Sequence, residues 1–218
     1  MIEVVAIDGV SGAGRSSTAK LLAKALGFPH LDSGAMYRTL TCEAMLQGLR
    51  ADQHVELGRV AELLDFSFGP NHEMNVNGEP LPPAIRGAQV SAHVSEYCKP
   101  REVREVLAKQ QRKLGVSSPC VAEGRDMATV VFPDARWKFY MTASPEVRAK
   151  RRALELQAAG HLANYDEILG NLQERDEKDS TREHSPLKRA DGAVEIDTSD
   201  LTLDRQVAII ADLVRRAI

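Results

Sequence analysis

The chain has 218 residues, 43% of them hydrophobic and 27% charged, with a formal net charge of −3. That composition supports a sizeable packed core, excludes global disorder and speaks against a dedicated nucleic-acid partner, which would call for a basic excess. Cys42, Cys98 and Cys120 are scattered without a C-x-x-C pair and the six histidines lack ligand spacing, so neither a disulfide framework nor a zinc site is expected, and the compartment is a reducing one.

The first element is IEVVAI, residues 2–7, short, β-branched and apolar, as a buried parallel strand is. Glu3 and Asp8 interrupt it, so it does not read as a secretory leader. No later stretch approaches the roughly 18 apolar residues of a membrane span. A cytoplasmic protein with no membrane partner is expected. Residues 7–17, IDGVSGAGRSS, follow. They fit the phosphate-loop pattern G-x-x-x-x-G-K-[ST] at every fixed position but one: Gly9, Gly14 and Ser16 are in place, and Arg15 stands where the pattern has lysine. A strand feeding a glycine-rich turn feeding a helix aims backbone N–H groups and a positive helix end at an anion. Gly9, Gly12 and Gly14 permit close approach, and the Ser16 hydroxyl is suited to Mg²⁺. Arg15 keeps the positive charge but changes its shape from a compact ammonium to a planar fork.

Thr18, Leu21, Leu22, Ala25 and Leu26 recur at helical spacing up to Gly27, and FPHL reads as a second strand. In LDSGAMYR, Ser33 is positioned to cap a helix running to Leu46, and Ser33, Tyr37 and Arg38 face the crevice at the strand end. From Phe66 the runs shorten and alternate, and Asn77-Gly78 signals a hairpin. Helices are expected over Ala88–Glu96 and from Pro100 to about Leu114. PCVAEGRD is a buried strand that ends at Arg125 and Asp126, where open α/β sheets bind ligands. A further strand, RWKFYMTA, precedes two charged helices. The second carries Arg175, Asp179 and Arg182 at i, i+4 and i+7, which predicts one helical face. AVEIDT is a last strand, and Leu203, Val207, Ile210 and Val214 give the last helix an apolar stripe.

Strands alternating with helices predict an α/β fold: a P-loop NTPase with a five-stranded parallel sheet flanked by helices, its strands at about 2–7, 28–31, 119–123, 136–142 and 193–197. Taken alone, Arg125-Asp126 could form a structural salt bridge, and Arg148, Arg151 and Arg152 a solvated basic face.

Jointly, the loop, LDSGAMYR, EGRDMATVVFP and the Arg175/Asp179/Arg182 spacing resemble the bacterial cytidylate kinases, a branch of the nucleoside monophosphate kinases. The resemblance covers nearly the whole chain. It implies a single domain over 1–218, with a core of 1–33, 101–150 and 166–218, a monophosphate-binding insertion at about 34–100 and a lid at about 151–165. It implies transfer of the γ-phosphoryl of ATP, with Mg²⁺, to CMP or dCMP. Gly9, Val10, Ser11, Gly12, Ala13, Gly14, Arg15, Ser16 and Ser17 would hold the ATP phosphates, with Ser16 on the metal. Ser33, Arg38, Arg125 and Arg182 would hold the CMP phosphate, with Tyr37 in the same crevice. Arg175 and Asp179 would contact the ribose, and Ser95, Arg104 and Asp126 the cytosine. Arg15, Arg125, Arg182 and the lid residue Arg151 would act on the transferring phosphoryl. A monomer is expected. Family members usually carry Pro at the Val10 position, Lys at Arg15 and Gly at Ala128. Two other readings stay open: another small-molecule kinase on this core, or a nucleotide-binding module whose Arg15 limits turnover.

Overall fold

A computed structural model describes residues 2–158, 160 and 162–216. In chain order it contains β1 (Ile2–Gly9), α1 (Arg15–Leu26), β2 (His30–Asp32), α2 (Ser33–Leu46), α3 (His54–Leu63), three short strands β3 (Phe66–Phe68), β4 (Met74–Val76) and β5 (Glu79–Pro80), α4 (Ala88–Tyr97) and α5 (Arg101–Ser117). β6 (Cys120–Glu123), a π-helical turn (Met127–Val131), β7 (Ala135–Thr142), α6 (Pro145–Ala158), α7 (Tyr165–Thr181), β8 (Val194–Asp197) and α8 (Leu203–Arg216) complete it.

β1, β2, β6, β7 and β8 form one sheet in the order β2-β6-β1-β7-β8, and every pairing is parallel. The five strands lie where the sequence places them. β1 shows why they are apolar throughout. Its period-2 geometry sends Val4 and Ala6 into one core and Val5 and Ile7 into the other. On the second face, Leu22 of α1 and Ile210 and Val214 of α8 cover Phe139 and Met141. On the first, Met36, Leu40 and Leu107 pack with Met74, Val76 and Tyr97, so the segment 34–100 shares the sheet's core. With all strands parallel, the loops after β1, β2 and β6 leave from the same edge, and that edge holds the site.

The antiparallel sheet β3-β4-β5 turns at Asn77 (φ +52°) and Gly78 (φ +84°), the two-residue hairpin the sequence signals. Three expectations change. Ser33 is not the cap of α2. Asp32 is, accepting from the Ala35 amide at 2.8 Å, which frees the Ser33 hydroxyl to donate to the Glu123 carbonyl at 2.7 Å. Arg182 is not on a helical face, because α7 ends at Thr181 and Arg182 is extended. Helix α3 is missing from the sequence reading: Gln53 gives no side-chain cap and Gly58 weakens propensity, so the helix rests on burying Leu57, Val60 and Ala61 against its neighbours. Of the expected lid, 151–158 belong to α6, and residues 159 and 161 lie outside the described residues. α6 and α7 are pinned together by a small cluster of Ala149, Ile168 and Leu172. Among the described residues, no helix is long and apolar enough to cross a membrane.

Candidate active site

The loop between β1 and α1 is shaped by contacts with β7. A Cβ on Gly9 would lie 2.1 Å from the Met141 carbonyl oxygen, so no other residue fits there. The next amide, Val10, donates to that same carbonyl at 3.2 Å, a bond that proline could not make. Gly14, at φ +84°, swings the chain into α1. The start of α1 carries no side-chain cap and no acidic residue in its first turn, so its amides remain available to an anion. Ser16 and Ser17 are exposed on that turn.

The outer edge of the loop is clipped to α6 and α7. The Ser11 amide donates to Asp176 Oδ1 at 3.2 Å. Arg148, 4% exposed, donates to the Ser11 carbonyl at 2.9 Å, to the Ala143 carbonyl at 3.0 Å and to Asp176. A cavity of about 490 Å³ opens beside this clip, and Ser11, Gly12, Arg151, Arg152 and Arg175 line it. Arg151 is tied within it to the Thr198 hydroxyl and carbonyl.

Arg15 leaves α1 toward the sheet. Its Nε donates to Glu123 Oε2 at 2.7 Å and its Nη1 to the Gly9 carbonyl. Burial alone would raise the Glu123 carboxyl, but Arg15, with His30 and the Ser16 hydroxyl, holds it down at about 2. Arg125 reaches the same Gly9 carbonyl with Nη1 at 3.1 Å and Asp179 Oδ2 with Nε at 2.7 Å. Burial, with the neighbouring Arg15, brings the Arg125 guanidinium down to about 10, so it stays cationic at neutral pH.

Beyond Arg125 the crevice is built of guanidinium–carboxylate pairs. Arg104 donates to Asp126 Oδ2 at 2.6 Å and stacks over Tyr37, 5.2 Å from the ring centre. Arg182 lies 3.9 Å from Asp126 and 3.7 Å from Asp179. Arg38 and the more exposed Arg86 share Asp32 at 3.3 and 3.4 Å. Five guanidiniums thus face three carboxylates, an excess of two positive charges, which suits a phosphomonoester of charge about −1.5 to −2. Arg38 Nε, Arg104 Nε and Arg182 Nη2 are buried donors without a hydrogen-bond acceptor among the described residues, so the pocket has donors to spare for an anionic or polar ligand.

The two groups meet through Asp8. This buried β1 carboxylate accepts from the Met127 and Ala128 amides, both at 2.8 Å, and so fixes the turn that carries Arg125 and Asp126. Burial outweighs those two bonds and pushes its carboxyl up to about 6. The structure therefore gathers Arg15, Arg125, Asp126, Arg104, Tyr37, Arg38, Asp179 and Arg182, with Arg175 at the edge of the cavity. Ser95 stands apart, exposed on α4 and without a side-chain hydrogen bond among the described residues. Asp8, Glu123, Asp176 and Arg86 have no site role in the sequence analysis, and Arg148, read there as part of a solvated basic face, is buried. The only local signal for Asp8 and Glu123 was a carboxylate at the end of an apolar strand, where burial demands a partner.

Residues 5–216 match the family model described as cytidylate kinase. The cytidylate kinase of Parabacteroides distasonis is 43% identical over 223 residues, covering 99% of this chain and 97% of that one. That of Citrifermentans bemidjiense is 40% identical over 215 residues, covering 97% and 92%. A solved structure, TT1252 from Thermus thermophilus, is 19% identical with a TM-score of 0.46, covering 97% of this chain and 96% of that chain.

Proposed function

The chain belongs to the cytidylate kinase family, and on that premise we propose how its residues divide the work. The reaction is ATP-dependent phosphorylation of CMP or dCMP to the diphosphate. The observation that carries the division is the Gly9 carbonyl, which accepts from Arg15 on one side and Arg125 on the other. Two cations on one atom bring a donor-side and an acceptor-side phosphate binder next to each other, as in-line transfer requires.

On the donor side, the loop from Gly9 to Ser17 wraps the ATP phosphates; with the Val10 and Ser11 amides bonded to Met141 and Asp176, the amides from Gly12 to Ser17 and the free N-terminus of α1 hold them. On the acceptor side, Arg38, Arg125 and Arg182 hold the CMP phosphate, and Ser33 joins them once its hydroxyl turns from the Glu123 carbonyl. Asp179 and Arg175 take the ribose hydroxyls. Arg104 orients Asp126, whose carboxylate accepts from the cytosine amine and repels the oxygen that uracil has there. Ser95 and Arg151 join when the ends of α6 and α7 and the segment 34–100 close over the substrates. The bond from Pγ to the bridging oxygen breaks as the bond to a CMP phosphate oxygen forms. That oxygen is already ionised near neutral pH, so no protein base is needed. Arg15, Arg125 and Arg182 offset the charge that spreads over the transferring group, and closure keeps water from taking CMP's place.

Magnesium fits this site through Ser16. Among the described residues no group of three or more His, Cys, Asp or Glu comes together to cage a metal. A single hydroxyl beside substrate phosphates suits an ion that keeps several waters. When bound, it supplies charge neutralisation on the β- and γ-phosphates.

Product formation from ATP with CMP, dCMP, UMP and AMP in turn tests this reading. CDP and dCDP are expected, with UMP at least about tenfold poorer in kcat/KM. Equal use of UMP would remove Asp126 as the base reader.

A further inference from the structure

Arginine in a lysine position of a phosphate loop poses a problem of shape. Its five N–H donors lie in one rigid plane, so it presents charge usefully only if the plane is fixed. Here two anchors fix it. Nε donates to Glu123 Oε2 at 2.7 Å and Nη1 to the Gly9 carbonyl. Both anchors are parts of the sheet. Glu123 ends β6, in register with Ile7 of β1 and Asp32 of β2, and its own carbonyl takes the Ser33 hydroxyl at 2.7 Å. Its side chain is 3% exposed and that of Arg15 is 13%, so neither has room to swing. Arg15 Nη2 has no acceptor among the described residues and remains as the donor for phosphate.

Glu123 answers a second need. Arg15 and Arg125 both donate to the Gly9 carbonyl, and one carbonyl dipole cannot offset two full charges. Asp179 balances Arg125 at 2.7 Å, and Glu123 balances Arg15 at the same distance. Without Glu123, Arg15 would be driven away from Arg125 and out of the transfer line.

We propose that Glu123 is a positioning residue for phosphoryl transfer, one that clamps Arg15 edge-on beside Arg125 and so makes an arginine workable in this loop. The inference rests on the kinase reading and deepens it. In the proposed division of work Glu123 has no contact with either substrate. Its effect passes through Arg15, and that can be measured.

The test is a double-mutant cycle on single-turnover CDP formation, with KM for ATP and CMP measured in parallel. Wild type, Glu123→Gln, Arg15→Ala and the double variant are compared. Glu123→Gln is expected to lower the transfer rate at least about tenfold while KM for CMP changes less than about threefold. In the Arg15→Ala background the same change is expected to alter the rate less than about twofold. A merely structural Glu123 would lower the rate by the same factor in both backgrounds, which would overturn the inference and leave the kinase reading standing. Absence of CDP from the wild type would overturn both. Circular dichroism checks folding. If Glu123→Gln does not fold, Glu123→Asp replaces it, keeping the charge on a shorter arm, and a loss confined to proteins that contain Arg15 is expected.

Discussion

In the proposed division of work the two sides of the crevice take hold of phosphate by different means. Around Gly9 to Ser17 the groups proposed for binding are backbone amides and a helix end, with Arg15 as the loop's one inward cation. Across Gly9, the groups are side chains: Arg38, Arg104, Arg125 and Arg182, set against Asp32, Asp126 and Asp179. The first side is defined by shape and tolerates no added atom where strands approach. The second is defined by charge balance, and each carboxylate removed leaves a buried cation without its partner. Substitutions on the two sides should therefore fail in different ways.

The largest expected effect is on the shape side. Gly9→Ala would put a Cβ 2.1 Å from the Met141 carbonyl and force β1 from β7. A loss of at least about 3 kcal/mol in stability is expected, read by denaturant unfolding. A stable, fully active variant would show that the loop is not shaped by β7. On the charge side, Asp179→Ala leaves Arg125 without its carboxylate and removes the acceptor proposed for the ribose. Affinity for CMP should weaken about thirtyfold, roughly 2 kcal/mol, while an ATP analogue is affected less than about threefold. Calorimetric titration of both ligands measures it, and equal weakening would erase the distinction between the sides.

A smaller effect is expected from Asp126→Asn. The amide oxygen can still accept from Arg104, so the pocket keeps its form and loses only its preference at the base. The CMP:UMP ratio of kcat/KM should fall about tenfold, roughly 1.4 kcal/mol. An unchanged ratio in a folded variant would assign base reading elsewhere. A last effect, read against pH rather than against a ligand, concerns Asp8, which joins the two sides. Its carboxyl is raised from 3.8 to about 6 by burial. A raised acid stabilises the fold when protonated, fully below its unfolded value, and that contribution is lost as pH rises through the folded value. Between about pH 4 and 6, stability should fall with rising pH by up to about 1.4 kcal/mol per unit, and Asp8→Asn should remove that slope. Unfolding curves across this window check it, and an unaltered slope in the variant would contradict the assignment.

Much of the shape side was legible in the sequence, because it is local. A β-branched strand, three glycines and a helical repeat lie within the first 26 residues, and Asn77-Gly78 announces its own turn. The charge side was legible only as motifs at strand ends. Its pairings were not, because they join distant residues: Arg15 and Glu123 are 108 apart, Asp8 and Met127 are 119 apart. Spacing placed Arg182 on a helical face, but the helix stops one residue short, and the extended backbone carries the guanidinium to Asp126 instead. Helix α3 escaped notice since its stability lies in tertiary burial of Leu57, Val60 and Ala61 rather than in caps or propensity.

Arg15 is where shape and charge meet, and single-turnover transfer from ATP to CMP tests that most directly. The wild type is expected to form CDP, Arg15→Lys to retain substantial activity, and Arg15→Ala to be slower by at least about tenfold, or roughly 1.4 kcal/mol of transition-state stabilisation. A wild-type protein that binds ATP and CMP yet yields no CDP would contradict the account, as would an Arg15→Ala variant that transfers at the wild-type rate.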